Sequence, residues 1–315
     1  MKRLSNFVAR DIFRYHHSLL SDTERTDGYR AAIESVVRPE HVVADLGCGS
    51  GILSMFAARA GARHVYAIDE HAVIALAREF ARDNGLADRI TFIEASSYDV
   101  SLPEPADVLV TEIMGNGGVD EGIVLAVADA CKRWLKPGAI IVPRAIELIA
   151  APVERELDTA YWLSRPYDFD LSRAASYLAN IFDGIRFDAA AFVADPRTIA
   201  RVGLTSETEG GVHGTADFIA SRSASIAGIA LWFRAELTEQ ITITNAPPDH
   251  CPSWKNGYFP LRSPVAVDAG DRVSFDLRTY DGVAWKWSVS CRGATIEQSS
   301  LENYPFWSAA AKPPL

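Results

Sequence analysis

Apolar and polar positions in the first half of the chain switch repeatedly between two periods. Short apolar, β-branched runs at 42–46, 64–69, 90–95, 106–111 and 139–142 predict strands, and amphipathic stretches at 52–60, 71–84 and 121–135 predict helices between them. This βαβα order predicts an α/β fold, with a mostly parallel sheet covered on both faces and ligands at the carboxyl ends of its strands. After Pro143 the pattern changes. Residues 145–153 and 214–237 alternate small, apolar and polar side chains, 240–245 is β-rich, and 265–292 carries an Ala-Gly-Asp turn between strands, so the second half reads as antiparallel β. Residues 155–183 interrupt that half with aromatics at helical spacing. They predict an inserted helical segment whose exposed apolar side chains seek another surface, here a second subunit. The expected units are 1–143 and 144–315, with 309–315 as a loosely held end.

Where the first strand stops, the chain reads VVADLGCGSGILSMFAARAG over 42–61, and the second strand closes on Asp69. Gly47, Gly49 and Gly51 let backbone approach a ligand closely, and an acid ending the next strand can grip both hydroxyls of a ribose. A lone glycine-rich turn serves as plain βα punctuation about as often as it forms a site; turn, helix and spaced acid together point to a nucleoside-bearing cofactor. A second constellation lies at the end of the fourth strand, where Glu112 is followed nine positions later by Glu121 across a glycine-bearing loop. Both carboxylates can face one point. The plainer reading leaves Glu121 opening a helix, where an acid suits the dipole, and Glu112 at an exposed strand end.

Composition narrows the setting. A chain of 315 residues exceeds the length at which one core usually keeps growing. The formal net charge of −10 argues against a nucleic-acid track and suits a cationic substrate better. Cys48, Cys131, Cys251 and Cys291 have no C-x-x-C pairing and read as reduced thiols, and no metal-ligand spacing is present. The start is interrupted by charge before any useful apolar run, and no stretch approaches the length of a membrane span, so a cytoplasmic location is expected.

The DLGCGSG wording resembles the first motif of class I S-adenosylmethionine-dependent methyltransferases, and Thr111-Glu112-Ile113-Met114-Gly115 with Glu121 resembles the double-E loop of the protein arginine methyltransferases. His16-His17-Ser18-Leu19-Leu20-Ser21-Asp22-Thr23-Glu24-Arg25 is similar to that family's helical lid, with Leu19 in place of Met. Tyr167-Asp168-Phe169-Asp170 looks like part of its dimerisation arm, and Ser253-Trp254-Lys255 stands where its Thr-His-Trp loop would be. The resemblance covers nearly the whole chain. It implies an N-terminal lid and Rossmann-like cofactor domain over 1–143, then a β-barrel-like substrate domain with a helical arm at about 155–183, and a homodimer made through that arm.

It also implies S-adenosyl-L-methionine as cofactor, S-adenosyl-L-homocysteine as product, and no metal. Arg25 would bind the cofactor carboxylate, Gly47, Cys48 and Gly49 would cradle its amino-acid part, Asp69 would hold the ribose, and Ser97 and Tyr98 would meet the adenine. His16, Leu19, Asp45, Ile52, Leu53, Glu70 and Glu112 complete the implied cofactor site. Met114, Asn116 and Trp254 are the implied acceptor contacts, with Glu112 and Glu121 as the catalytic pair. A guanidinium spreads its charge over three nitrogens. Two carboxylates can orient it, draw charge away from the attacking nitrogen and relieve its repulsion with a sulfonium.

The departures from the family open other readings. Asn116, Gly117, Gly118 and Val119 replace the aromatics expected in the double-E loop, so the acceptor slot is expected to have lost walls. Ser253 replaces the histidine that would pair with Asp22, and residues 6–10 lack a tyrosine-rich lid entry. The leading expectation is methylation of a guanidinium or other nitrogen on a protein, peptide or small molecule. O-methylation of a carboxylate or hydroxyl of a peptide natural product or metabolite is a second reading, and a non-catalytic, cofactor-binding dimeric scaffold a third. None of the histidines shows a partner in sequence that would make it a general base.

Overall fold

A computed structural model describes residues 6–208, 211–247 and 253–302, with side chains from residue 10 onward. His250, Cys251, residues 309–315 and the side chains of 6–9 lie outside the described residues. Helices α1 (Asn6–Ser21) and α2 (Thr23–Val36) precede an alternating series: β1 (Val42–Leu46), α3 (Ile52–Arg59), β2 (His64–Asp69), α4 (Ile74–Asp83), β3 (Ile90–Glu94), β4 (Ala106–Thr111), α5 (Ile123–Arg133) and β5 (Leu135–Val142). The five strands pair in parallel in the order β3-β2-β1-β4-β5. Chain order reverses between β1 and β4. The carboxyl ends of those two neighbours therefore open onto a crevice flanked by outgoing connections. Every residue of β1 is buried, as expected of a central strand covered on both faces.

The second half contains β6 (Ala145–Val153), α6 (Ala160–Leu163), α7 (Arg173–Leu178), β7 (Asp183–Ile185), β8 (Arg197–Gly203), β9 (Val212–Ile219), β10 (Ala224–Glu236), β11 (Thr242–Thr244), β12 (Asn256–Val267), β13 (Arg272–Thr279), β14 (Trp285–Cys291) and β15 (Ala294–Ser299). A six-stranded sheet follows the path β7-β12-β10-β6-β8 with β11 beside β10, and a four-stranded sheet runs β15-β14-β13-β9, all antiparallel. No ladder closes one sheet onto the other among the described residues, so the half is barrel-like. Aromatic rings fill the space between the sheets: Phe259 lies 5.3 Å from Trp285, 5.2 Å from Trp287 and 6.3 Å from Phe275, centroid to centroid.

Helix α2 joins the halves. Asp22 caps it by accepting the Arg25 amide at 3.2 Å, and the same carboxylate accepts the Ser253 amide at 3.1 Å and hydroxyl at 2.6 Å. Gly28 allows the helix to touch β11, since a Cβ there would sit 2.7 Å from Ile243 Cγ2. From the same helix the Tyr29 hydroxyl donates to the Thr111 carbonyl at 2.9 Å, at the end of β4.

Several elements differ from the expectation. Glu121 does not open a helix: α5 starts at Ile123 behind a left-handed Gly122, leaving Glu121 in the preceding turn. The helix expected over 71–84 begins at Ile74, because Asp69 captures the His71 amide and holds the chain in a turn. The arm is less helical than its spacing implied. Pro166 and left-handed Arg165, Tyr167 and Asp168 break it into α6, a single 3-10 turn and α7. The run expected over 214–237 is two strands with a turn at 220–223, and β8 and the start of β12 are strands beyond those expected.

Candidate active site

The glycine turn leaves β1 with Gly47, Gly49 and Gly51 all at positive φ (74°, 51° and 77°), a conformation that disfavours other residues. Packing adds a second constraint. A Cβ on Gly47 would lie 2.6 Å from Ile113 Cγ2, and one on Gly49 would lie 3.0 Å from His16 Cε1. The double-E loop and the end of α1 thus close over the turn from two sides. Asp69 organises the edge: one carboxylate oxygen accepts the Gly49 amide at 2.8 Å and the other the His71 amide at 2.8 Å. Asp45, wholly buried in β1, accepts the Ser54 hydroxyl at 2.5 Å through one oxygen, while its Oδ1 has no protein partner. Burial pushes its carboxyl up to about 7, against the pull of Ser54.

Glu112 follows β4 directly. Its carboxylate is bound by the Arg25 guanidinium, and both side chains are more than nine-tenths buried. Arg25 also donates to the Leu19 carbonyl at 3.3 Å and lies over the Trp254 ring, 5.6 Å from its centroid. Trp254 in turn donates its indole N–H to the Met114 carbonyl at 2.8 Å. Glu121 is exposed, yet its surroundings displace enough water to raise its carboxyl pKa, against the pull of Arg25. Tyr15 reaches the same space from α1: burial raises its hydroxyl pKa, Glu121 adds to the rise and Arg25 opposes it. Glu112 thus bonds the Arg25 guanidinium directly, while Glu121 feels the same positive charge without a contact to it.

Comparison with known proteins fits this arrangement. A family model described as ribosomal protein L11 methyltransferase (PrmA) matches residues 24–146. An arginine N(omega)-methyltransferase of Streptomyces achromogenes subsp. streptozoticus is 31% identical over 282 residues, covering 87% of this chain and 78% of the relative. Protein arginine N-methyltransferase 6 of Xenopus laevis is 30% identical over 282 residues, covering 83% and 82%. The chain belongs to the protein arginine methyltransferase family. It is an S-adenosylmethionine-dependent methyltransferase. The fold agrees: the Trypanosoma brucei PRMT1 enzyme–prozyme heterotetrameric complex with AdoHcy superposes with a TM-score of 0.79 at 22% identity, over 90% of this chain and 96% of that one. Arabidopsis thaliana protein arginine methyltransferase 10 gives 0.74 at 22% identity, over 92% and 99%.

The residues present fit the cofactor of this methyltransferase family. A positive-φ glycine cradle, a carboxylate at the end of β2 with lone pairs to spare beyond its two amides, and an unpartnered buried Asp45 Oδ1 all face polar chemistry rather than an apolar ligand. Around them, His16 and Leu19 are half-buried on α1, Cys48 and Leu53 buried, Ile52 half-buried, and Glu70 exposed beyond Asp69. Burial raises the Cys48 thiol pKa and so keeps it protonated. Ser97 and Tyr98 form a one-turn 3-10 helix after β3, with Tyr98 exposed.

Residues expected on the acceptor side make contacts within the protein. Ser253 does not sever the link to Asp22: a shorter side chain bonds the same carboxylate, although it brings no titratable nitrogen. Asn116 is engaged with protein, its Oδ1 accepting the Lys255 amide at 2.7 Å and its carbonyl accepting Asn245 Nδ2 at 2.8 Å. Trp254, 5% exposed, lies beneath the double-E loop. Asn245 escaped the sequence reading altogether. Buried at the end of β11, it also donates to the Lys255 carbonyl at 2.7 Å and accepts the Phe233 amide at 2.9 Å, but in sequence it resembles any turn asparagine.

Proposed function

We propose that this chain transfers a methyl group from S-adenosylmethionine to a guanidinium nitrogen of arginine. The observation that carries the reading is the buried ion pair of Glu112 with the Arg25 guanidinium, with Glu121 exposed at the far end of the same loop. A pocket that already holds one guanidinium with a carboxylate, beside a second carboxylate open to solvent, has the charge and fork geometry to hold another. The relatives named for arginine N-methylation support the same acceptor.

When bound, S-adenosylmethionine supplies an electrophilic methyl group on a sulfonium. The glycine turn and Asp69 would hold its amino-acid and ribose parts, and Arg25, already in the crevice, would meet its carboxylate while keeping Glu112 in place. Glu112 and Glu121 would draw the acceptor's positive charge toward the nitrogens that do not react, leaving lone-pair density on the one that does. The raised pKa of Glu121 and its exposure suit it to pass on the proton lost from that nitrogen. Residues 1–143 would act as the cofactor unit and 144–315 as the unit bearing the acceptor and the dimer arm. The arm presents Tyr161, Tyr167 and Phe169 to solvent, 58%, 87% and 68% exposed, which fits a homodimer formed through it.

Glu112→Gln and Glu121→Gln keep shape and remove charge. Each should lose about 3 kcal/mol or more of transition-state stabilisation, in the range of other preorganised electrostatic contacts. Turnover with arginine and arginine-bearing peptides, with mass spectrometry locating the added methyl, reads the outcome. If both variants stay within a few-fold of wild type while still binding cofactor, the guanidinium reading is wrong.

A further inference from the structure

We propose that Asp120 is a positioning residue of the methyl-transfer site: the loop between the two glutamates is folded around its carboxylate, which sets where Glu112 and Glu121 stand. The inference rests on those glutamates being the working pair. Asp120 Oδ1 accepts the Gly117 amide at 2.7 Å. A Cβ on Gly115 would lie 2.5 Å from the Asp120 carboxyl carbon, so a side chain there must push the carboxylate aside, and one on Gly117 would approach Phe182 Cζ to 3.0 Å and Asp120 Oδ1 to 3.2 Å. Outside this knot the loop is hemmed in: a Cβ on Gly118 would lie 2.7 Å from Phe233 Cβ, and Gly282 presses on the Val119 carbonyl. Of the residues that look like a stripped wall, Gly117 leaves room for both the inward-turned acid and Phe182, and Gly118 for Phe233. Glu121 is the next residue along and Glu112 lies three before Gly115, so a loosened knot displaces both.

Burial pushes the Asp120 carboxyl up to about 7, the amides of Asp120, Gly117 and Asn116 pull it down, and the Glu121 charge raises it again. From the neighbouring β13–β14 turn, Asp281 points its carboxylate at its own Val283 and Ala284 amides, and β10 offers Phe233, which carries no charge. The ionised form accepts amides better than the acid, so the knot should tighten as pH rises through about 7.

The test uses the intact chain with Asp120→Asn, Asp120→Ala and, independently, Gly115→Ala, which crowds the carboxylate without removing it. Hydrogen–deuterium exchange of residues 115–121 needs no acceptor: it should accelerate at least ten-fold in Asp120→Ala with the β1 and β4 amides unchanged. In turnover, kcat should fall at least ten-fold in Asp120→Ala and Gly115→Ala, and the limb of the pH–kcat profile near 7 should be absent in Asp120→Asn. If Asp120→Ala does not fold, Gly115→Ala carries both readouts. A folded variant whose loop exchange is unchanged, or whose kcat stays within two-fold, overturns the positioning role. Failure of the guanidinium reading looks different, since it appears as tolerance of Glu112→Gln and Glu121→Gln and leaves the exchange result untouched.

Discussion

Asp69 has two sets of partners to satisfy. Its oxygens already hold the Gly49 and His71 amides, and a ribose would add hydroxyl donors to the remaining lone pairs. Asp69→Ala should weaken S-adenosylmethionine or S-adenosylhomocysteine by roughly 1.5–3 kcal/mol in calorimetry, from lost hydroxyl acceptors and a loosened turn together. Unchanged affinity in a folded variant would remove Asp69 from the ribose site. Its place was legible in sequence because an acid closing a β-branched run is conspicuous. Asp120, Tyr15 and Asn245 were not: each resembles ordinary polar loop or helix chemistry until distant segments are brought against it.

Among elements, the parallel half was readable almost strand for strand, since buried strands give apolar runs and the helices between them keep a clear period. The antiparallel half was less so. Strand β8 reads Arg-Thr-Ile-Ala-Arg-Val-Gly, its apolar residues broken up by two arginines and a threonine, and β12 carries Gly257 and Pro260, residues that ordinarily end strands. Pro260 is tolerated next to a register shift against β10, and its carbonyl accepts the Trp287 indole at 3.3 Å. The helical spacing of the arm overstates its helix, and of its aromatics Tyr161, Trp162, Tyr167 and Phe169 are exposed while Tyr177 and Phe182 are half-buried. Deleting residues 160–177 should give a monomer with weaker cofactor affinity; light scattering that finds the intact chain monomeric at tens of micromolar would refute the dimer.

For the whole molecule, stability should carry a pH signature from the crevice. Asp45 holds its proton to about pH 7 when folded, whereas an unfolded aspartate loses it near 3.9. Between those values the folded chain binds more protons, so this group's contribution falls as pH rises across the window and is level above it. Asp45→Asn keeps an acceptor for Ser54 without the charge. Its melting temperature relative to wild type should therefore climb from pH 4 to 7 and then flatten; a constant difference would mean Asp45 is not buried as an acid. No helix among the described residues is long and apolar enough to cross a membrane.

The rivet formed by α2 has a consequence for how the chain comes apart. One helix is anchored at Asp22 to Ser253, at Gly28 to Ile243 and at Tyr29 to Thr111, so the two halves share it whatever happens to the covalent link between β5 and β6. A protease site engineered at 143–144 and cut after folding should leave two fragments that elute as one particle and separate only in denaturant. Weakening the rivet with Asp22→Ala, a cap loss of about 1 kcal/mol before the Ser253 bonds are counted, should let the nicked halves drift apart at a lower denaturant concentration than the nicked parent.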